Sequence, residues 1–173
     1  MTVDNSSRKH GSFTVIRCDD GSREVEKHTA FIRLAIMQAN MALPSDTSFS
    51  TGVLVVNGTH VVAEGHSREP HTPGLHAAVV AINKARQSPQ RRLLRGATLY
   101  TTMEPCSSDK VSKTPCTRHI IEAGIAKVVI GVKEPDSFVD CKGVRTLQDA
   151  GIHVVHMQFL QEECLRPNIH LLT

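Results

Sequence analysis

Three side chains able to hold a transition metal stand at His76, Cys106 and Cys116. Both cysteines follow a proline, as Pro105-Cys106 and Pro115-Cys116, and Glu104 precedes the first pair. One imidazole and two thiolates match zinc, which takes about four ligands in a tetrahedron. A site with only three protein ligands leaves a position for water and suits hydrolysis. Taken singly, each residue has a plainer reading. A histidine at a helix start is usually a surface or packing residue, and two cysteines with nine residues between them say less than a C-x-x-C pair. Together, with matching strand-to-helix placement, they predict a zinc site. A structural site with a fourth protein ligand, Cys141 or another histidine, stays open, although no spacing recommends it.

The elements that must position these residues can be read in outline. Residues 13–16 predict a short strand, with Asp19-Asp20-Gly21 as a turn. Apolar residues at Ala30, Phe31, Leu34, Met37 and Met41 predict a helix over 28–43, stopped by Pro44. Two apolar runs, 52–56 and 60–63, flank Asn57-Gly58, the strongest short hairpin signal. A largely apolar helix is expected over 75–86, with Gly74 allowing a tight approach and His76 in the first turn. A strand over 97–100 precedes Cys106, and a helix runs from Cys116 to a C-cap near Gly124. The apolar stretch 126–132 predicts a central parallel strand. A helix over 144–150, a strand over 152–156 and a last helix from Gln158, interrupted at Pro167, follow. Strands alternating with helices predict an α/β fold whose sheet is covered on both faces, with the hairpin as an antiparallel edge. Helix N-termini beside His76 and Cys116 would aim partial positive charge at the site and favour thiolates.

A chain of 173 residues suits one domain, written as an N-terminal extension over 1–25, polar and partly mobile, and a domain over 26–173. Hydrophobic residues at 40% and charged residues at 21% are ordinary for a soluble globular protein. A net charge of +3, no Trp and a single Tyr, Tyr100, argue against a nucleic-acid partner. No run approaches the roughly twenty apolar residues of a membrane span, and no secretory signal is visible. Cys18, Cys141 and Cys164 are expected as free thiols, which points to a reducing compartment, cytoplasmic with the nucleus left open.

Thr101-Thr102-Met103-Glu104-Pro105-Cys106, the spacer through Ser112-Lys113-Thr114-Pro115-Cys116, and Gly131-Val132-Lys133-Glu134-Pro135-Asp136 resemble the cytidine-deaminase superfamily. More narrowly, they resemble the pyrimidine deaminases of riboflavin biosynthesis, because the long spacer ends in Thr-Pro-Cys. Lys-Glu-Pro-Asp-Ser-Phe-Val is similar to the fungal branch. The resemblance covers residues 28–157. It implies a three-layer α/β/α cytidine-deaminase-like fold with a mixed central sheet, usually dimeric or larger, and zinc as cofactor. It implies a phosphorylated pyrimidine substrate, 2,5-diamino-6-ribitylamino-4(3H)-pyrimidinone 5′-phosphate in fungi and the ribosylamino compound in bacteria, losing its 2-amino group as ammonia. Thr47, Phe49, Thr102 and Glu104 fall where the family lines its pyrimidine pocket. Ser112, Lys113, Glu134, Asp136 and Lys142 fall where it meets the ribityl and phosphate groups. For Phe49 core packing is the simpler reading, and for Lys113 or Lys142 a solvated charge is an even alternative.

In zinc deaminases a Glu two residues after the His shuttles protons. Here that position is Ala78. Three accounts compete: a deliberate Glu-to-Ala truncation, a natural pseudoenzyme, and another residue supplying the acid/base. The first fits best. Ala removes the carboxylate without harming helix propensity, and the three ligands remain. Glu69 and His71 do not stand at a spacing that projects toward the metal. The expectation is retained zinc and pyrimidine binding with turnover lost. A tRNA, nucleoside or nucleobase deaminase and a zinc-stabilised binding module are the alternatives.

Overall fold

The computed structural model describes residues 10–108, 114–134 and 142–172. Six strands form one mixed sheet: β1 (Phe13–Ile16), β2 (Gly52–Asn57), β3 (His60–His66), β4 (Thr98–Met103), β5 (Lys127–Val132) and β6 (His153–Met157), in the spatial order β1-β6-β5-β4-β2-β3. The pairs β1–β6, β6–β5 and β5–β4 are parallel, whereas β2 runs antiparallel to both β4 and β3. The hairpin is therefore the antiparallel edge that its Asn57-Gly58 turn predicts, with Gly58 at φ 65°.

Alternation along the strands sorts side chains onto two faces. On one, Val53, Val55, Leu99, Val128, Ile130 and Val154 pack against α2 (Ala77–Gln87), α3 (Cys116–Glu122) and α4 (Gly143–Asp149). On the other, Leu54, Val56, Tyr100, Val129, Val155 and Met157 pack against α1 (Arg23–Asn40) and α5 (Gln161–Leu165). This is the three-layer α/β/α arrangement.

Several boundaries differ from the sequence reading. Helix α1 starts at Arg23 rather than at 28, because Ser22 caps it by accepting from the Val25 amide at 3.3 Å. Its buried side is Val25, His28, Thr29, Ile32, Ala35 and Ala39, while Leu34, Met37 and Met41 are exposed. The reason is close approach. A Cβ on Gly52 would strike the Ala35 carbonyl and the Ala39 amide, so the small side of α1 lies on β2. The boundary drawn between residues 25 and 26 cuts through α1, and β1 within the same extension is a paired strand of the sheet. Strand β4 reaches Met103 rather than ending at Tyr100, which carries it directly to Glu104-Pro105-Cys106. The C-terminal segment holds α5 and a 3-10 helix, Arg166–Leu171, with Pro167 in its first turn. Among the described residues no helix is long and apolar enough to cross a membrane.

Candidate metal centre and pocket

The β3–α2 connection delivers His76. It turns through three positive-φ residues, Arg68 (54°), His71 (64°) and Gly74 (72°). His76 is not in the first turn of α2 but is its N-cap, in extended conformation, and its carbonyl accepts the first helical bond from Val80 at 3.0 Å. The end of β4 delivers Cys106, and Cys116 is the first residue of α3 after Pro115. These three form the metal-competent cluster among the described residues, with donor atoms all within 4.8 Å of one another.

The spacing of the donors fits the metal. His76 Nδ1 lies 3.3 Å from Cys116 Sγ and 3.5 Å from Cys106 Sγ. Zinc bonds of about 2.0–2.1 Å to nitrogen and about 2.3 Å to sulfur, at tetrahedral angles, require an N···S edge of roughly 3.6 Å. The Cys116 amide donates to Cys106 Sγ at 3.3 Å. The Cys106 thiol is pushed down to about 5, first by its hydrogen bond with Cys116 and then by His76 and that amide, against the opposing effect of burial. A cysteine so placed presents a thiolate near neutral pH.

A cavity of about 380 Å³ opens on this cluster. Ala78, the second residue of α2 and 5% exposed, lines it together with all three candidate ligands. The rest of the wall includes Ser48, Phe49, Thr51, Ser67 and Arg68, and Thr101, Met103, Glu104 and Glu134. Phe49 is 41% exposed and faces this space rather than packing in the core.

Not every predicted contact reaches it. Thr102 does not line the cavity; it is fully buried and its Oγ1 accepts from the Gly52 amide at 3.2 Å. Its neighbour Thr101 lines the cavity instead, because adjacent strand residues face opposite ways. Thr47 is exposed and absent from the wall, and its amide donates to Ser45 Oγ at 3.3 Å. Lys142 is exposed at the N-cap of α4, outside the wall, with its amide donating to Ser107 Oγ at 3.1 Å. Ser112, Lys113, Asp136 and Cys141 lie outside the described residues. Thr51, Ser67, Arg68 and Met103 were not foreseen. Serine, threonine and arginine carry no periodic signal, and only strand phase could have singled out Thr101.

Three carboxylates lie near Ala78 in the chain or in the fold. Glu69 sits outside the wall, paired with Lys84 and 3.9 Å from His66 Nε2. Glu104 lines the cavity, but its Oε1 accepts from the Val144 amide at 2.8 Å and its Oε2 from the Glu134 amide at 3.1 Å. It joins the end of β4 that leads to Cys106 to the loop after β5 and to the start of α4. Glu134 also lines the wall.

The model of the cytidine and deoxycytidylate deaminase zinc-binding region matches residues 25–132. The chain is 39% identical over 140 residues to a diaminohydroxyphosphoribosylamino-pyrimidine deaminase of Schizosaccharomyces pombe, covering 80% of this chain and 34% of that protein. It spans about a third of the length of the first curated relatives it matches. Among solved structures, the Thermotoga maritima diaminohydroxyphosphoribosylaminopyrimidine deaminase/reductase superposes with a TM-score of 0.69 at 36% identity, covering 82% of this chain and 39% of that one. The Aspergillus oryzae Rib2 deaminase, solved in complex with DARIPP, gives 0.67 at 25% identity, covering 82% and 89%. Fold, donor set and sequence match agree: the chain belongs to the cytidine and deoxycytidylate deaminase zinc-binding family, and zinc is its cofactor.

Proposed function

We propose that this chain binds zinc through His76, Cys106 and Cys116 and takes a phosphorylated diaminopyrimidinone, 2,5-diamino-6-ribitylamino-4(3H)-pyrimidinone 5′-phosphate, into the adjoining cavity. It is built for the deaminase step of riboflavin biosynthesis, with turnover disabled at Ala78. The observation that carries the reading is the convergence of the three donors and Ala78 on one cavity. The substrate class is supported by a relative named as a diaminohydroxyphosphoribosylamino-pyrimidine deaminase, by another named as a riboflavin biosynthesis protein, and by the Aspergillus enzyme's complex with DARIPP; the ribosylamino form of the substrate is the alternative.

Hydrolytic deamination replaces a ring C–NH2 with C=O, consuming water and releasing ammonia. Zinc supplies Lewis-acid activation of water. The chain's own residues bound the ring: Phe49 offers an apolar face, Thr101 and Met103 close the strand side, and His76 with the two cysteines fixes the reacting end. Protons must move from water to the ring nitrogen and then to the leaving amine. The methyl of Ala78 accepts and donates none, and Glu104 has both oxygens engaged by backbone amides. Loss of a positioned acid/base costs on the order of 10²–10⁴ in rate. A homodimer and a cytoplasmic setting belong to the same proposal.

Calorimetric titration of the zinc-loaded chain separates this substrate from its neighbours. Saturable binding of the ribitylamino-pyrimidinone phosphate, with cytidine and deoxycytidylate much weaker, is expected. Preference for either nucleoside compound would assign the cavity to a different pyrimidine. A second reading, a zinc-stabilised pseudoenzyme that binds ligand for regulation, is favoured by Ala78 itself. It predicts that Ala78→Glu gains no activity.

A further inference from the structure

The loop of residues 43–50, between α1 and β2, gives Ser48 and Phe49 to the cavity wall. Two side chains from distant parts of the chain fasten it. From the β3–α2 connection, Arg68 donates Nε–H to the Leu43 carbonyl at 2.7 Å. Its Nη1 donates to the Ser48 and Phe49 carbonyls at 3.3 and 3.2 Å, and its Nη2 to Ser50 Oγ at 2.6 Å. From the C-terminal 3-10 helix, fully buried Asn168 accepts the Ser50 amide at 2.5 Å and donates Nδ2–H to the Ser50 carbonyl at 3.0 Å. His170 Nε2 adds a bond to the Ser45 carbonyl at 2.9 Å.

The backbone at Arg68 supports a selective role for its side chain. Its φ of 54° is a region that favours glycine or asparagine, so an arginine there is held against local strain. Only a planar fork with five donors serves acceptors on four residues in one loop; a lysine ammonium cannot. Burial lowers the Arg68 pKa, as expected for a guanidinium partly withdrawn from solvent.

We propose that Arg68 and Asn168 are positioning residues for the pyrimidine pocket, clasping the 43–50 loop from two sides so that Ser48 and Phe49 stay in the wall. Ligand affinity then depends on Asn168, a residue of the C-terminal segment that does not line the cavity. This rests on the reading of the cavity as the ligand site.

The test uses zinc-loaded full chain with Arg68→Lys, which keeps the charge and loses the fork, and Asn168→Ala. Amide exchange without ligand is read first. In both variants the amides of residues 45–51 exchange at least about tenfold faster while those of α2 stay unchanged, whereas global destabilisation would speed both. Titration with the ribitylamino-pyrimidinone phosphate then gives an affinity about tenfold weaker at unchanged zinc stoichiometry. In an Ala78→Glu background Asn168→Ala, which lies outside the wall, raises KM while kcat holds. Exchange in the loop within about twofold of the parent would overturn the clasp. A loosened loop with unaltered affinity would overturn its role in the pocket. If the parent itself binds no pyrimidinone phosphate, the proposed function fails, and the exchange result still decides whether Arg68 and Asn168 hold the loop.

Discussion

Replacing Glu104 tests whether a buried carboxylate at the rim of the metal site touches ligand or holds the scaffold. The residue is 6% exposed, and its two oxygens take the Val144 and Glu134 amides at 2.8 and 3.1 Å. Hydrogen bonds to a charged acceptor contribute about 1.5–3 kcal/mol each, and an abandoned buried N–H costs about 1–3 kcal/mol. The Val144 amide is in buried surroundings, whereas the half-buried Glu134 amide can be partly rehydrated. With the Val144 bond counted in full and the rehydrated Glu134 bond at about a third, Glu104→Ala should cost roughly 2–4 kcal/mol in total. For a domain of this size each kcal/mol shifts Tm by about 2–4 °C, so a fall of roughly 5–15 °C is expected. Glu104→Gln should fall between, since one amide oxygen still accepts while its NH2 opposes a backbone N–H. The assay is calorimetric unfolding of zinc-loaded protein, with ligand affinity measured on the folded variants. An unchanged Tm accompanied by collapse of ligand affinity would refute the argument and return Glu104 to substrate binding.

Other outcomes follow from the same geometry. Cys106→Ser and Cys116→Ser should each abolish stoichiometric zinc binding, read by metal analysis after gel filtration, and chelation of the parent should lower its Tm. His28, His153 and His156 all have pKa values lowered from 6.5, chiefly by burial. Because the folded state resists their protonation, stability is full above about pH 6.5 and falls as acid protonates the unfolded chain first. A urea midpoint lower at pH 5.5 than at 7.5, with the difference reduced in His28→Gln, checks this. Gly52→Ala forces a Cβ against the Ala35 carbonyl and should destabilise by about 1–3 kcal/mol or more, read by denaturant titration.

The metal centre was legible because zinc chemistry needs few residue types, and two Pro-Cys pairs and a His at a helix start announce them. The sheet was legible because its central strands are apolar on both faces and its hairpin carries Asn-Gly. The face of α1 was not. Large apolar residues marked one stripe, but Gly52 selected the small side, Ala35 and Ala39, for contact. Thr102 stood in for Thr101 because the strand was read as ending at Tyr100, leaving its phase unfixed. Arg68 stayed hidden because its partners are backbone carbonyls of a loop, which no side-chain pattern encodes. Glu104 was expected to orient the ring, but its partners come from the loop after β5 and from α4, which only the fold brings to it.

The central claim is that one missing carboxylate separates this chain from a working deaminase. Ammonia release from the ribitylamino-pyrimidinone phosphate, measured side by side for the parent and Ala78→Glu at equal zinc content, tests it most directly. The account predicts turnover in the Glu form at least about a hundredfold above the parent. Equal rates in the two proteins, or silence in both with zinc and ligand bound, would contradict it.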